Sequence, residues 1–341
     1  MKAFSSDNYS GVCSEVMDAI IEANTEHAPA YGGDKYTEKA IALTKENFGN
    51  TAIPYFVFNG TAANVLILKA MTRSHHATIC ADSSHIAAQE TGAAVNLTGS
   101  MLIQVAGEHG KISPSAIEEA HANVTRWGIH ANKPRVVTIA QSTEYGTVYT
   151  MQEIQAISNT CKKLDLLLHM DGCRLANAAV SLNCSLKNLT ADVGVDALSF
   201  GGTKNGLLFG EMIIFFQEDI AEEFEYIQKQ GLQLASKMRF LSAQFIPYFE
   251  QAIWHRNASH ANEMCLRLAK GLQKNAAIRL AHPVQTNQLF AHFTPEIIEA
   301  TSAVFPYYVW DDNTNLVRLI TSFDTTEDEV DKFIDVAQKG I

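Results

Sequence analysis

One lysine stands among small residues in Ser199-Phe-Gly-Gly-Thr-Lys-Asn-Gly206, directly after the apolar run Val193 to Leu198. Glycines at 201, 202 and 206 let this backbone bend sharply and come close to a bound molecule. A lysine enclosed in this way is either an anchor for an anion or an amine kept for covalent chemistry. Upstream, Leu166-Leu-Leu-His-Met-Asp-Gly-Cys-Arg174 reads as a buried strand that delivers Asp171, with Arg174 three residues on. Earlier still, the strand-like Pro54-Tyr-Phe-Val-Phe58 turns through Asn59-Gly60-Thr61 into a helical pattern. Such a turn offers free backbone N–H groups and the positive end of a helix dipole, which suits a phosphate.

Each feature also has a plainer explanation. Lys204 could cap a loop, and Asp171 could be a helix N-cap or a salt-bridge partner of Arg174. Many glycine-containing turns between strand and helix bind nothing. Together and in this chain order, however, they meet the demands of pyridoxal 5'-phosphate (PLP). That cofactor needs an amine to hold it as an imine and a carboxylate to keep its ring nitrogen protonated. It also needs a phosphate site and gains from a flat group against its ring. Lys204, Asp171, Gly60 with Thr61, and His85 of the polar turn Ala81-Asp-Ser-Ser-His85 fill those four places. Neither G-x-G-x-x-G nor G-x-x-x-x-G-K-[ST] occurs, which argues against nicotinamide-dinucleotide and P-loop chemistry.

The elements that must position these residues alternate between strand and helix. Strands are expected near 54–58, 78–80, 101–105, 135–140, 166–169 and 211–216. Helices are expected near 14–26, 37–48, 65–71, 114–125 and 151–163. This alternation predicts an α/β fold with a mostly parallel sheet between helices. Ligands of such sheets collect at the carboxyl ends of strands, where Gly60, His85, Glu144, Asp171 and Lys204 all fall. Beyond 216 the pattern changes to a polar helix over 218–230 and a long helix over 232–274 broken near Pro247. Short strands near 288–293, 307–310 and 316–321 and a terminal helix from Glu327 follow. The expected division is an N-terminal arm and large domain over 1–245 and a smaller α+β domain over 246–341.

The 341 residues are 47% hydrophobic, ample for a sizeable core, and carry a net charge of −11. That charge argues against nucleic acid and anionic membrane as partners. No apolar run approaches the ~20 residues of a membrane span, and the N-terminus lacks a signal-peptide core. The six cysteines include no C-x-x-C pair and read as reduced thiols rather than a metal site, so a cytoplasmic location is expected. His75-His76 reads as a polar cap, His169 as a hydrogen-bonded core residue and Cys173 as filler for a tight corner.

At this point the chain resembles the low-specificity L-threonine aldolases, PLP enzymes of the aspartate-aminotransferase fold (fold type I). The resemblance runs through Phe4-Ser-Ser-Asp-Asn8, Tyr31-Gly-Gly-Asp34, Phe58-Asn-Gly-Thr-Ala-Ala-Asn64 and His85. It continues through His169-Met-Asp-Gly-Cys-Arg174, Ser199-Phe-Gly-Gly-Thr-Lys204, Ser236-Lys-Met-Arg-Phe240 and Val317-Arg318. It implies that Lys204 forms the imine, Asp171 pairs with the pyridine nitrogen, His85 stacks on the ring, and Gly60 and Thr61 hold the phosphate. It further implies that Ser6, Arg174 and Arg318 bind the α-carboxylate of an amino-acid substrate, which guanidinium forks suit. Lys237 and Arg239 would reach a neighbouring subunit's cofactor in a homotetramer. The implied reaction is retro-aldol cleavage of a β-hydroxy-α-amino acid to glycine and an aldehyde, the work of a lyase.

One departure stands out. Many members of that family carry Asn-Thr-His after the strand matching 135–140, where this chain reads Gln141-Ser-Thr-Glu-Tyr145. Glu144 takes the histidine's place, so the base acting on the substrate hydroxyl is His85, Glu144 or a water between them. Similar loops accompany bulky substrates, which makes a phenylserine-preferring aldolase one alternative. A β-eliminating lyase, an aminotransferase or a non-catalytic PLP-binding regulator would share the same lysine and acid.

Overall fold

The central strands are short, mostly apolar runs without an alternating exposed face, and they lie where both faces are covered. A computed structural model describes residues 3–339. Strands β1 (Ile53–Val57), β2 (His76–Ala81), β3 (Met101–Val105), β4 (Lys133–Ala140), β5 (Leu167–Gly172), β6 (Ala197–Gly201) and β7 (Glu211–Phe215) form one sheet. Their order is β1-β7-β6-β5-β4-β2-β3. All five residues of β6 and of β7 are buried, whereas the edge strand β3 is half exposed.

Strands β2 to β6 pair in parallel. Strand β7 runs antiparallel to both β6 and β1, so β1 points the same way as β6. The carboxyl ends of β1, β2, β4, β5 and β6 therefore share one edge of the sheet, as the alternating pattern predicts. Helices cover both faces. The helix Met151–Lys163 opens with a capping box between Thr150 and Glu153 and buries Ile154, Ile157 and Cys161, an i, i+3, i+7 stripe.

A second, antiparallel sheet contains β8 (Arg279–Leu280), β9 (Gln288–His292), β10 (Tyr308–Asp311) and β11 (Leu316–Ile320), in the order β10-β11-β9-β8. Its core joins Leu289, Ala291, Val317 and Leu319 to Leu268, Val330 and Phe333 of the covering helices. The N-terminal arm is sewn into this core. Phe4 is buried there, its N–H donates to the Pro306 carbonyl at 2.9 Å, and its carbonyl accepts from the Ile320 N–H at 2.8 Å.

Two helical expectations are corrected. Residues 218–230 form two short helices, Glu218–Ala221 and Phe224–Gln230, because Glu223 takes a left-handed φ of 60°. Residues 232–274 contain Arg239–Ser242, Phe245–Glu250 and Ile253–Leu272, and the sharpest break is at Ala252, whose φ is 49°. Pro247 sits inside the first turn of its helix, where its missing N–H has no intrahelical acceptor to lose. Short helices at His85–Ala88, Ala93–Thr98, Leu175–Ser181 and Pro295–Ser302 were not expected. The first three span fewer than two full turns or barely that, too little for a helical period to register.

Candidate active site

All the expected residues except Asp171 line two cavities at one edge of the main sheet. One, of about 390 Å³, is lined by Asn59, Gly60, Thr61, Asn64, His85, Cys173, Thr203, Lys204 and Glu211, among others. The other, of about 420 Å³, is lined by Ser6, Tyr9, His85, Glu144, Arg174, Lys204, Tyr308, Trp310 and Arg318, among others. His85 and Lys204 line both.

Gly60 and Thr61 begin the helix Gly60–Met71, and the Asn59 side chain caps it by accepting from the Ala62 N–H at 2.9 Å. The cap leaves the N–H groups of Gly60 and Thr61 without intrahelical partners, as at any helix start. A Cβ on Gly60 would come within 3.1 Å of the Cys173 sulfur, so only glycine keeps this corner open without a shift.

Lys204 lies on a single 3-10 turn, Thr203–Asn205, just after β6. That turn is pinned from several sides. The Asn205 amide donates to Tyr248 Oη at 2.8 Å and to the Trp254 carbonyl at 3.0 Å, and the Gly202 N–H donates to Glu211 Oε2 at 2.8 Å. Burial pushes the Glu211 carboxyl up to about 7. The glycines of this stretch serve packing more than ligand approach. A Cβ on Gly201 would strike the backbone carbonyl of Cys173, and Gly206 holds a φ of +108° beside Cys13 and Asn257.

Asp171 is buried near the end of β5 and accepts from Asn64 Nδ2 at 2.8 Å and from the Cys173 N–H at 3.1 Å. Burial alone would raise its carboxyl. The bond from Cys173, the nearby His85 and the bond from Asn64 outweigh it and hold the group below its ordinary value. This favours the ionised form of Asp171, and both plainer explanations fail: the helix Leu175–Ser181 has Arg174 rather than Asp171 at its N-cap, and Arg174 pairs with Asp7.

Arg174 grips Asp7 with two parallel bonds, Nε to Oδ2 at 2.7 Å and Nη2 to Oδ1 at 2.9 Å. Arg318, in β11, lays its guanidinium over Tyr308 and Trp310 at 5.1 and 4.8 Å from the ring centroids. Its Nη2 donates weakly to the Ser5 carbonyl at 3.3 Å, and its Nε is buried with no partner. Burial and the neighbouring Arg174 lower its proton affinity. Glu144 lines the same cavity and Asp7 balances Arg174, but among the described residues no carboxylate bonds Arg318, which leaves that guanidinium short of an acceptor. Ser6 lies between them in extended backbone, its Oγ accepting from the Asn8 N–H at 3.2 Å.

Glu144 follows β4 and accepts the backbone N–H of His85 at 2.7 Å. Burial, then the charge of Asp171, raises its carboxyl above the ordinary value. The His85 ring meets Glu90, with Nδ1 to Oε1 at 2.7 Å. That bond raises the affinity of His85 for a proton against the opposing effect of burial.

All nine residues expected at the site (Ser6, Gly60, Thr61, His85, Glu144, Asp171, Arg174, Lys204 and Arg318) lie at this edge. Lys237 is exposed, and Arg239 donates to the carbonyls of Thr25 and Glu26 in its own chain. All six cysteines are free, and among the described residues no group of three His, Cys, Asp or Glu is placed to hold a metal. Among the described residues no helix is long and apolar enough to cross a membrane. Asp7, Asn64, Glu90, Glu211, Tyr308 and Trp310 were not singled out from sequence. Asp7 and Asn64 at least fall within stretches that carried the family resemblance, while Glu90 and Glu211 had no local signal.

Comparison with known proteins places this geometry in a family. The beta-eliminating lyase model matches residues 3–295. A low-specificity L-threonine aldolase of Pseudomonas aeruginosa is 45% identical over 301 residues, spanning 88% of this chain and 86% of that protein. The solved structure of a Leishmania major threonine aldolase matches with a TM-score of 0.94 at 30% identity, over 99% of both chains. Aspartate aminotransferase from Thermus thermophilus matches with a TM-score of 0.71 at 14% identity, over 99% of this chain and 90% of that one, a likeness of fold alone. The fold is thus fold type I, as expected, and the chain belongs to the beta-eliminating lyase family, among the low-specificity L-threonine aldolases.

Proposed function

We propose that this chain is a PLP-dependent lyase that cleaves L-threonine, L-allo-threonine and related β-hydroxy-α-amino acids to glycine and an aldehyde. The observation that carries the reading is the unsatisfied Arg318 guanidinium in a cavity it shares with Arg174. Arg174 and Arg318 face the space that Lys204 and Glu144 also line, and Arg318 Nε is buried without a partner. A substrate carboxylate supplies the missing acceptor.

The donor set also fits PLP, with an amine at Lys204, an ionised buried acid at Asp171 and free helix-start N–H groups at Gly60 and Thr61. When bound, PLP supplies an electron sink conjugated to the substrate's α-carbon. Lys204 would hold the cofactor, Asp171 would meet its ring nitrogen, and His85 would cover its ring. Ser6, Arg174 and Arg318 fix the substrate carboxylate, and this orients the Cα–Cβ bond. Glu144 receives the β-hydroxyl proton, since a carboxylate with raised proton affinity is the better base near neutral pH. The chain divides near residue 245, and the smaller part contributes Arg318. The working state is a cytoplasmic homotetramer in which Lys237 and Arg239 serve a neighbouring site.

Purified Lys204→Ala should lose the absorbance of a lysine-bound cofactor and form no glycine from threonine. Turnover at the wild-type rate would sink the assignment, and keto acid or ammonia in place of aldehyde would point to another reaction of the same family. A preference for aryl substrates is a second reading, favoured by Tyr9, Tyr308 and Trp310 on the cavity wall. Comparing kcat/KM for L-threonine, L-allo-threonine and phenylserine decides between them.

A further inference from the structure

Glu90 is a buried carboxylate in an unusual position. One of its oxygens, Oε2, has no partner, and among the described residues its ion-pair partner is His85. A carboxylate stripped of water and left half satisfied costs stability, so its retention calls for a reason. Its other oxygen, Oε1, takes two bonds, from His85 Nδ1 at 2.7 Å and from Asn64 Nδ2 at 3.0 Å.

Asn64 makes the connection. Its Nδ2 also donates to Asp171 Oδ2 at 2.8 Å, and its Oδ1 accepts from Ser199 Oγ at 2.7 Å. The amide can stand only one way round, because the reverse would press Oδ1 against two carboxylates. Behind it, Ser199 Oγ lies 3.1 Å from His169 Nε2, and His169 Nδ1 lies 3.3 Å from Thr138 Oγ1. Burial lowers His169 to about 4, so that ring is neutral with one N–H. Since Ser199 spends its proton on Asn64, His169 must donate through Nε2 and accept at Nδ1. Every proton from Thr138 to the Asn64 amide then has one place, and that amide presents an N–H to the same Glu90 oxygen that meets His85 Nδ1.

We propose that Glu90 and Asn64 are positioning residues. Glu90 holds the His85 ring with a proton on Nδ1 and Nε2 towards the cavity. Asn64 ties the Glu90 and Asp171 carboxylates to one amide, so that the ring-covering imidazole and the ring-nitrogen acid are set as a unit. The purpose rests on the proposed roles of His85 and Asp171; the proton placement does not.

The test is nitrogen NMR of the full chain labelled with 15N-histidine, with His85 assigned from its loss in His85→Asn. Above its titration midpoint wild-type His85 should carry its proton on Nδ1, and a proton on Nε2 instead overturns the proposal. The charged groups facing this ring are Glu90, Asp171, Glu144 and Lys204. Of these Glu90 bonds the ring itself, so Glu90→Gln should lower the His85 midpoint by about one pH unit, a tenfold loss of proton affinity. A folded Glu90→Gln with an unmoved midpoint overturns it as well. If that variant does not fold, the wild-type tautomer alone decides. Neither readout needs turnover, so failure here is separate from failure of the Lys204 test.

Discussion

Asp7 and Arg174 lie 167 residues apart in sequence and meet as a two-bond, almost fully buried pair. The pair clamps the N-terminal arm over the end of the main sheet, and Asn287, just before β9, adds a bond to Asp7 Oδ2 at 3.0 Å. One carboxylate therefore joins the arm, the strand end that bears Asp171, and the smaller sheet.

Asp7→Ala should cost about 3–5 kcal/mol, because it leaves the buried Arg174 charge without its partner. Urea unfolding checks this. Burial would raise Asp7, but Arg174 outweighs burial and holds the carboxyl below its ordinary value. A lowered value means that the pair's contribution is complete at neutral pH and lost as pH falls through the lowered value. The difference in stability between wild type and Asp7→Ala should therefore shrink in acid.

Glu144→Gln separates the base from the binding groups. It should lower kcat by about 10²–10⁴-fold while KM changes little. Because burial raises the Glu144 carboxyl, the carboxylate is lost as pH falls through a value above the ordinary carboxylate range. The wild-type kcat/KM profile should show an acid limb there, and Glu144→Gln should lack it. An unchanged limb in the variant would move the role to His85.

Arg318→Lys tests geometry against charge. Lysine keeps the positive charge but cannot offer two parallel bonds to a carboxylate or lie flat over Tyr308 and Trp310. Loss of one charge-assisted bond is worth about 1.5–3 kcal/mol. KM for the amino acid should rise roughly 10- to 100-fold, with cofactor affinity nearly unchanged, since Arg318 belongs to the cavity away from Gly60 and Thr61.

These tests also mark what could be read from the chain. The sheet was legible because β4, β5 and β6 are mostly apolar runs, with Asp171 near the end of one and Lys204 three residues past the end of another. Glu90 was not legible. It lies in a bend five residues after His85, and its meaning comes from Asn64, 26 residues away on a helix from another strand. The Asp7 pair was hidden for the same reason, since only folding brings Arg174 to Asp7 rather than to the nearer Asp171. The helix breaks at Glu223 and Ala252 escaped because a left-handed residue that is not glycine leaves no compositional mark.

Gly201→Ala probes the joint that carries both key groups. Gly201 sits at the end of β6, three residues before Lys204, and a methyl there meets the backbone carbonyl of Cys173, two residues after Asp171. The obstacle is main chain, so no side chain can swing aside, and β5 and β6 must part at the end where amine and acid are set. The expected cost is about 3 kcal/mol in unfolding free energy. The same movement should weaken the absorbance of the lysine-bound cofactor even in the fraction that stays folded. Gly11→Ala is the control, because a Cβ there meets nothing within 4 Å and the residue needs no positive φ. It should stay within about 0.5 kcal/mol of wild type and keep its spectrum. If Gly201→Ala behaves like that control, the close approach of the two strand ends is not what sets Lys204 against Asp171.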